Sequence, residues 1–445
     1  MPRQQPTAPA TSTAKPVADD VPLNRPLPAF QTGDRSRRAF FVTYGASHVA
    51  KIAPVVHELR RLGVECLVMA LTIGFKRAQQ MGLQPVGYRD FLPLANDPAA
   101  VLERGRDMLS GNTHPEVDEE ESCCYLGVNE ADLRAELGDS GAALRYASMG
   151  RQCFMPVNFM GRVLEALQPG VVVATSTPRT EEAAIRAAVV RGVPTLTMVD
   201  LFASQSDPFP FLSRPVHSDR ITVVSEEVRS RFLESGLRPA QVVVTGSPDF
   251  DSLFKVQARA AGMALRRRLG DPRTVVLWAG ILEPEDSPFA GTALGHAVEE
   301  QLRPWVRSHP DAALIVRYHP GHYQHFSSYP DQERVRVSLP GEEQVEPLLH
   351  AADIVVHQVS TVGFQAALLH KRVLHLGFSE WFRRADFDLG SLGPSTQVDE
   401  LRSLVPAIEA SAAQGGARKM TVPEGPAAPR VALEVMALLN KKGAK

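Results

Sequence analysis

Short runs of consecutive apolar residues, each ending in a glycine, a proline or a polar loop, recur along most of the chain. The first run occupies residues 39–44, a helical stretch follows over 47–61, and a second run follows at 65–70. Runs that are apolar throughout, instead of alternating with polar residues, predict strands that are buried on both faces. A strand, a helix and a strand in succession form the basic unit of a parallel sheet.

The runs fall into two consecutive sets. The first set continues at 171–175, 195–199, 221–225 and 242–246. The second set comprises 274–278, 313–318, 353–357 and 372–376. Two successive sets of strand–helix–strand units predict an α/β protein with two Rossmann-like, doubly wound domains. We expect these domains at 37–247 and 248–425, since a chain of 445 residues is long enough for two or three domains.

Three segments interrupt this pattern. Residues 1–36 are rich in proline, threonine and alanine and lack apolar clusters, which predicts a disordered N-terminal arm. Residues 92–160 are predicted to be an insertion in the first domain. Its acidic run at 118–121, with glycine, asparagine and proline nearby, predicts an irregular, solvated loop between helices. We expect residues 426–445 to form a C-terminal helix or tail.

Charge and composition exclude several classes of protein. The formal net charge of -2 provides no electrostatic footprint for nucleic acid, so no nucleic-acid partner is expected. None of the four cysteines lies in a C-x-x-C pair, which favours reduced thiols over a zinc site or a disulfide framework. No stretch approaches the ~20 apolar residues of a membrane span, and the N-terminus lacks the pattern of a signal peptide. The sequence therefore predicts a cytoplasmic protein.

The loop after the first strand is the first candidate site, because ligands of doubly wound sheets bind beyond the carboxyl ends of the strands. Gly45 allows a tight turn there and Ser47 stands near the start of the helix, so we predict an anion or acceptor loop. His48 is a candidate general base, since imidazole titrates near neutral pH. The alternative is that Ser47 is a plain N-cap and His48 a surface residue.

In the second domain, Arg317 and His319 come at the end of a buried strand that Pro320 stops. An arginine and a histidine beside a cleft suit a diphosphate, because guanidinium pairs in a bidentate manner with phosphate oxygens. We therefore predict that both residues bind the donor. The alternative is a salt bridge for Arg317 and a turn position for His319.

Two further loops of this domain complete the predicted donor site. Ser360, Thr361 and Gly363 stand where a helix starts, so that hydroxyls and backbone N–H groups can surround a phosphate. Gln365 falls in the first turn of that helix, within reach of a ribose hydroxyl. Gly280 follows the first strand of the domain and would let a ligand approach the backbone. Simple helix capping is the alternative for the serine and threonine.

Four stretches resemble one known family. Residues 51–56 are similar to a K-x-A-P-V-V motif, 243–251 to V-T-G-N-x-x-x-D, 318–320 to the end of Y-P-x-H-P, and 363–365 to the end of G-G-I-Q. All four motifs occur in the non-hydrolysing UDP-N-acetylglucosamine 2-epimerases. The resemblance implies the GT-B fold, in which two Rossmann-like domains face a central cleft that holds a nucleotide sugar. Lys51, which opens the first motif, joins the predicted anion or acceptor loop.

The chain departs from these epimerases at the positions that carry their chemistry. Ala46 stands where the family has an arginine, Ser176 where it has an aspartate, and Ala366 and Ala367 where it has paired glutamates. Asp200 is the one carboxylate expected to survive. Epimerisation by proton removal needs several carboxylates around the sugar, so the departures argue against this activity.

The second domain also resembles the capsule and wall-polymer transferases, in its R-x-H-P strand end at 317–320 and its H-x-S-T-x-G loop at 357–363. This resemblance implies a glycosyltransferase that moves a sugar from a nucleotide-sugar donor to a polysaccharide or glycoconjugate acceptor. Transfer needs a base for the acceptor hydroxyl and stabilisation of the departing diphosphate. His48, Asp200 and Glu181 are the candidate catalytic residues. A lipid-linked acceptor and peripheral association with a membrane belong to this expectation.

No metal or other cofactor is expected. The D-x-D sequence of Asp249 and Asp251 follows the change of domain, where a helix cap and structural turn fit it better than a metal site. Three alternatives stay open: a UDP-sugar epimerase or hydrolase, a phosphotransferase that uses a CDP-polyol, and a nucleotide-sugar binding protein without activity.

Overall fold

The computed structural model describes residues 23–200, 211–326, 333–384, 395–413 and 422–441. Within them, the first sheet contains β1 (Arg38–Tyr44), β2 (Glu65–Leu71), β3 (Pro85–Val86), β4 (Val171–Thr175), β5 (Thr195–Met198), β6 (Arg220–Val223) and β7 (Val242–Val244). Its order is β3-β2-β1-β4-β5-β6-β7, and every pairing is parallel. The helices of this part are α1 (Gly45–Arg61), α2 (Ile73–Gln80), α3 (Tyr88–Phe91), α4 (Pro98–Asp107), α5 (Glu119–Met149), α6 (Val157–Leu167), α7 (Thr180–Val190) and α8 (Glu226–Glu234).

The second sheet contains β8 (Thr274–Gly280), β9 (Ala312–Tyr318), β10 (Val335–Ser338), β11 (Ile354–His357), β12 (Arg372–Leu376) and β13 (Ser395–Val398). Its order is β10-β9-β8-β11-β12-β13, again with parallel pairings only. The remaining helices are α9 (Val256–Arg268), α10 (Ala293–Ser308), α11 (Val345–Ala351), α12 (Thr361–Leu368), α13 (Glu380–Arg384), α14 (Leu404–Ala413) and α15 (Ala428–Lys441). The prediction of two doubly wound α/β domains is confirmed.

Both sheets are covered on both faces, as their apolar runs predict. In β1, Phe40 and Val42 belong to the core on one face, and Ala39 and Phe41 to the core on the other. In β8, Trp278 packs with the α10 side while its neighbour Leu277 faces the opposite core. Because successive side chains of a strand point to opposite faces, a continuous apolar run is what two buried faces require.

The strand order of each sheet reverses at one point, between β1 and β4 in the first sheet and between β8 and β11 in the second. Loops that leave adjacent strands at such a point diverge to opposite faces and open a crevice beyond the carboxyl ends. The β1–α1 and β4–α7 connections border one crevice. The β8–α10 and β11–α12 connections border the other. Candidates in these four connections therefore border a crevice, whereas Asp200 follows the neighbouring strand β5 and Arg317 and His319 stand at the end of β9.

The insertion is more regular than the sequence indicates. The acidic run begins helix α5: Asp118 is its N-cap and accepts a hydrogen bond from Glu120 N at 2.9 Å. Carboxylates suit the first turn of a helix, where N–H groups and the helix dipole are positive. Glu121 is buried, with 6% of its surface exposed. The prediction of an irregular, solvated loop at 118–121 is therefore wrong. The helix itself is interrupted at Gly138, where φ is 71°.

The last helix, α15, returns to the first sheet. Val431 and Val435 pack in the same core as Ile52 and Val56 of α1. Its start is capped by Asp251, whose two carboxylate oxygens accept hydrogen bonds from Ala427 N at 2.6 Å and Ala428 N at 2.8 Å. Asp251 is thus a helix cap, as predicted, although the helix it caps lies more than 170 residues further along the chain.

No helix among the described residues is both long enough and apolar enough to cross a membrane.

We expect Asp251→Ala to lower the free energy of unfolding by about 1–2 kcal/mol, because it removes the acceptor of two backbone N–H groups at a helix start. Urea denaturation followed by far-ultraviolet circular dichroism measures the change. Asp311→Ala is the matched control, since Asp311 is exposed and outside both caps and core. Equal stability of the two variants would contradict a stabilising role for the cap.

Candidate active site

The β1–α1 turn places His48 at the crevice of the first sheet. Gly45 has φ of +77°, a conformation that favours glycine, and α1 begins at this residue directly after Tyr44. Ser47 therefore lies inside the first turn, is exposed and is not the N-cap, which is Tyr44. The N-cap interpretation of Ser47 is wrong because the helix starts two residues earlier than the sequence pattern indicates.

His48 turns towards the end of β4, where it meets hydroxyl groups. Its Nδ1 atom lies 2.8 Å from Thr175 Oγ1 and 2.7 Å from Thr177 Oγ1. Two carboxylates flank the ring: Glu181 Oε1 is 3.6 Å from Nδ1, and Asp200 Oδ2 is 3.6 Å from Nε2. The three residues predicted to be catalytic, which are separated by up to 152 positions in the chain, are thus brought to one place.

Glu181 is held rigidly and is inaccessible. It belongs to the first turn of α7, and its side chain has no exposed surface. Its Oε1 atom accepts hydrogen bonds from Tyr44 N at 3.0 Å and from the Thr175 hydroxyl at 2.5 Å. These bonds join the end of β1, the end of β4 and α7. A carboxylate so enclosed can tune the charge of His48 but does not face a ligand directly.

Asp200 is the accessible acid of the cluster, with 56% of its side chain exposed. It is oriented from two sides: its backbone N donates to Ser176 Oγ at 2.8 Å, and its Oδ1 atom accepts from Lys51 Nζ at 3.0 Å. Lys51 Nζ also donates to Val199 O at 3.2 Å. Lys51 is only 2% exposed, and its ammonium group compensates the charge of the Asp200 carboxylate. A role for Lys51 in an anion or acceptor loop stays a prediction.

The cluster is strongly coupled electrostatically. Burial disfavours the charged form of His48, but the carboxylates of Asp200 and Glu181 outweigh this effect and raise the pKa of His48 to about 9. Burial likewise opposes ionisation of Asp200, yet Lys51 and His48 hold its pKa far below the usual range. At neutral pH the site therefore contains an imidazolium and an ammonium beside an ionised, exposed aspartate.

Arg179 is a residue of this site that the sequence analysis missed. It immediately precedes α7 with φ of 76°, an uncommon conformation for a residue with a side chain. Its guanidinium carbon lies 4.5 Å from the centroid of the Tyr44 ring, a cation–π distance. Strained residues concentrate at functional sites. The signal available in the sequence was its position, in the loop after a buried strand and next to Pro178.

The second sheet presents a different set of groups. Arg317 Nη1 donates hydrogen bonds to Ser338 Oγ and Glu343 O, both at 2.8 Å, and the residue is 8% exposed. These bonds join β9 to β10 and to the loop after it, so the described contacts of Arg317 are within its own domain. His319 is exposed, and its Nδ1 atom accepts from Gly321 N at 3.1 Å. A donor-binding role for either residue stays a prediction.

The β11–α12 loop ends in a capped helix. Ser360 is the N-cap of α12, and its Oγ atom accepts from Val362 N at 3.2 Å. Thr361 is exposed at the first helical position, and Gln365 is half-buried one turn later. The capping interpretation of Ser360 is confirmed, and it leaves the first N–H groups of the helix directed at the crevice. Phosphate binding here stays a prediction.

The two glycines predicted to admit a donor are needed for packing. A Cβ atom at Gly363 would overlap the ring of the buried His357. At Gly280 it would lie 2.7 Å from the Tyr318 ring and 2.9 Å from Trp278. These side chains occupy the space that the missing Cβ atoms leave. A donor-binding role for either glycine stays a prediction.

A second residue missed by the sequence analysis is Glu283, which is 4% exposed. Its Oε1 atom accepts from Gln358 Nε2 at 2.6 Å and Ser379 Oγ at 2.5 Å, and its Oε2 atom from Ser287 Oγ at 3.0 Å and Glu380 N at 2.9 Å. Four donors satisfy a buried carboxylate well. They come from the loops after β8, β11 and β12, so Glu283 fixes the edge of the second crevice.

No group of three or more histidine, cysteine, aspartate or glutamate side chains in the described part of the chain is arranged to hold a metal ion.

Comparison with known proteins places this geometry in a structural class. No protein-family model matches the chain. It is similar to solved UDP-GlcNAc 2-epimerases, including one from Neisseria meningitidis bound to UDP-GlcNAc, at 14% identity and a TM-score of 0.55 over 90% of this chain and 99% of that one. The structure from Methanocaldococcus jannaschii gives 13% identity and a TM-score of 0.57 over 90% and 99% of the two chains. The S. aureus MnaA–UDP co-structure shows 14% identity and a TM-score of 0.53 over 91% of this chain and 97% of that one.

These similarities show that the chain has the GT-B fold, as the sequence motifs predict. A curated relative is the lipopolysaccharide-processing protein LpsZ of Rhizobium meliloti, which is 30% identical over 124 residues. The match covers 26% of this chain and 28% of LpsZ, so the chain corresponds to little more than a quarter of the curated relative that it matches.

We expect Glu283→Gln to lower the free energy of unfolding of the second domain by about 2–3 kcal/mol, because the amide leaves buried donors without an acceptor. All three tryptophans, Trp278, Trp305 and Trp381, belong to this domain, so tryptophan fluorescence during urea denaturation reports on it selectively. Glu285→Gln is the control, since Glu285 is exposed two residues away. Unchanged stability of Glu283→Gln would show that the four bonds do not hold the loops.

Proposed function

We propose that the protein is a glycosyltransferase that takes a sugar from a nucleotide-sugar donor and transfers it to a surface polysaccharide or glycoconjugate. The cluster of Asp200, His48, Lys51 and Glu181 carries the proposal, because it places one exposed carboxylate beside two cations at the crevice of a GT-B fold. The solved neighbours that contain UDP or UDP-GlcNAc support a nucleotide-sugar ligand. The similarity to a lipopolysaccharide-processing protein supports a surface glycan as acceptor.

In this proposal Asp200 is the general base. The acceptor hydroxyl attacks the anomeric carbon of the donor, its proton passes to the Asp200 carboxylate, and the bond from that carbon to the diphosphate breaks with the electron pair leaving on the phosphate oxygen. Lys51 and His48 keep Asp200 ionised and oriented. The low pKa of Asp200 makes it a weak base. The proton is therefore transferred late, when the bond to the anomeric carbon is forming and the acceptor hydroxyl has become more acidic.

The second crevice is proposed to hold the nucleotide diphosphate. The N-terminus of α12, with Ser360 and Thr361, offers N–H and hydroxyl donors to the departing anion. His319 stands exposed at the end of β9 and can add a further donor. Arg317 contributes by fixing the β9–β10 edge. Glu283 holds the loops of this crevice in fixed positions relative to one another through its hydrogen bonds.

A second candidate is epimerisation or hydrolysis of a UDP-sugar. The specific observation in its favour is that two carboxylates, Glu181 and Asp200, converge on His48, whereas the sequence suggested that only one acidic group would remain. Product analysis separates the two functions. Consumption of a UDP-sugar with no acceptor present would support epimerase or hydrolase activity and contradict obligatory transfer.

A thermal-shift screen against UDP-, GDP-, CMP-, CDP- and dTDP-linked sugars identifies the donor, because a ligand that binds only the folded protein raises its melting temperature. The compound that raises it is then incubated with the protein, with and without a glycan acceptor, and the products are separated. Sugar transfer that depends on the acceptor is the expected result. A screen in which no nucleotide sugar raises the melting temperature would contradict the proposal.

Asp200→Asn should lower kcat by about 10²–10⁴-fold, the contribution of a general base, while the thermal shift by the donor stays within a degree of that of the wild type. Asn keeps an oxygen for Lys51 and so preserves the fold of the site. Asp107→Asn, an exposed aspartate on α4, serves as control. Full turnover of Asp200→Asn would remove Asp200 from the mechanism.

The pH dependence of turnover tests the charge of His48. If the imidazolium is the active form, activity stays level near neutral pH and falls as the pH rises through about 9, where His48 loses its proton. A His48 that acts as the base would give the opposite slope, with activity rising towards that pH. His48→Asn should abolish this change in activity near pH 9. His57→Asn, an exposed histidine on the same helix, should retain it.

A further inference from the structure

A cavity of about 240 Å³ lies between the first sheet and the insertion. The ends of β1 and β2 form one wall, through Tyr44 and Leu71. The start of α5 forms the other, through Glu121 and Tyr125, and the loop before α5, with Thr113, forms part of the rim. The cavity is thus made jointly by the doubly wound sheet and by the segment inserted into it.

We propose that this cavity binds one sugar residue of the acceptor, with its ring against the aromatic wall and its hydroxyls directed at Glu121. The proposal rests on the proposed function, since it names the partner of the same reaction. It assigns to the insertion the recognition of the glycan end that is extended.

The size and chemistry of the wall point to a single sugar ring. Pockets for drug-sized ligands occupy roughly 300–1,000 Å³, so this cavity is too small for a whole nucleotide sugar. Tyr44, Leu71 and Tyr125 provide apolar surface for the C–H faces of a sugar ring. Tyr125 is itself held in place by edge contacts with the rings of Tyr88 and Phe154, at centroid distances of 5.4 and 5.9 Å.

Glu121 provides the polar anchor. Its Oε1 atom accepts from Tyr88 N at 2.7 Å and its Oε2 atom from Arg89 N at 3.1 Å. Each carboxylate oxygen can accept a second hydrogen bond, which a sugar hydroxyl would donate. The backbone at Gly87 approaches the carboxylate so closely that a Cβ atom there would overlap it. The carboxylate is therefore fixed by its surroundings before a ligand arrives.

The cavity adjoins the proposed catalytic cluster through one residue. Tyr44 lines the cavity, and its backbone N donates a hydrogen bond to Glu181 Oε1 at 3.0 Å. Glu181 in turn lies 3.6 Å from His48, which lies 3.6 Å from Asp200. Tyr44 thus links the cavity, through Glu181 and His48, to the Asp200 carboxylate that is proposed to accept the proton.

Binding of methyl glycosides of glucose, galactose, mannose and N-acetylglucosamine, observed by saturation-transfer NMR without any nucleotide, tests the proposal. At least one glycoside is expected to bind the wild-type protein. Thr113→Trp, which places an indole at the exposed rim, should reduce its signal at least five-fold. Leu144→Trp adds the same group on the exposed second half of α5, where 74% of Leu144 is accessible, and should leave the signal unchanged. Glu121→Gln is a second variant, which tests the hydrogen bonds proposed between the Glu121 carboxylate and the sugar hydroxyls.

Absence of binding by every glycoside, or equal binding by the wild type and Thr113→Trp, would overturn the proposal. Displacement of the bound glycoside by a nucleotide sugar would also overturn it, because the cavity would then hold the donor's sugar. Failure of the proposed function is read separately: it appears as the lack of any thermal shift with nucleotide sugars, which the glycoside signal does not depend on.

Discussion

The pairing of the buried Lys51 ammonium with the exposed Asp200 carboxylate is the interaction on which the first crevice depends. An ammonium group without a partner is costly to remove from water, so Lys51 draws the end of β5 towards α1. Asp200 is thereby brought next to His48, and His48 next to Glu181. Asp200 contacts both Lys51 and His48, and His48 contacts both Asp200 and Glu181, so the loss of one charge changes the electrostatic environment of the others. The cluster therefore behaves as a unit, in which the protonation of one member depends on the charge of the rest.

The regular part of the fold was predictable from the sequence, because unbroken apolar runs have one common explanation, a strand covered on both faces. The division of the strands into two sheets followed from the same pattern, whereas the order of the strands, and so the position of each crevice, came from the structure. The predictions failed where a side chain finds its partner through the tertiary structure. Lys51 belongs to a recognisable motif, but the motif does not predict that its Nζ atom lies beside Asp200. Glu283 accepts hydrogen bonds from residues that are 75 and 96 positions away in the chain, and no local sequence pattern predicts these contacts.

The acidic run at 118–121 shows a different source of error. Carboxylates, glycine and proline are typical of loops, but the same carboxylates stabilise the first turn of a helix. Here they begin α5, and one of them, Glu121, turns inward to cap the neighbouring backbone of α3. The two crevices also differ in character: the first is lined by charged groups, whereas the second offers hydroxyls, an imidazole and a helix start. This asymmetry suits a division of labour between proton transfer and anion binding.

The return of α15 to the first sheet means that the chain passes between the two domains twice. Asp251, on the first passage, is bonded to the backbone at Ala427 and Ala428, on the second. Two backbone hydrogen bonds to one carboxylate therefore fasten the two crossings of the chain to each other, so that the segments joining the domains are themselves joined at the base of the first sheet's last helix.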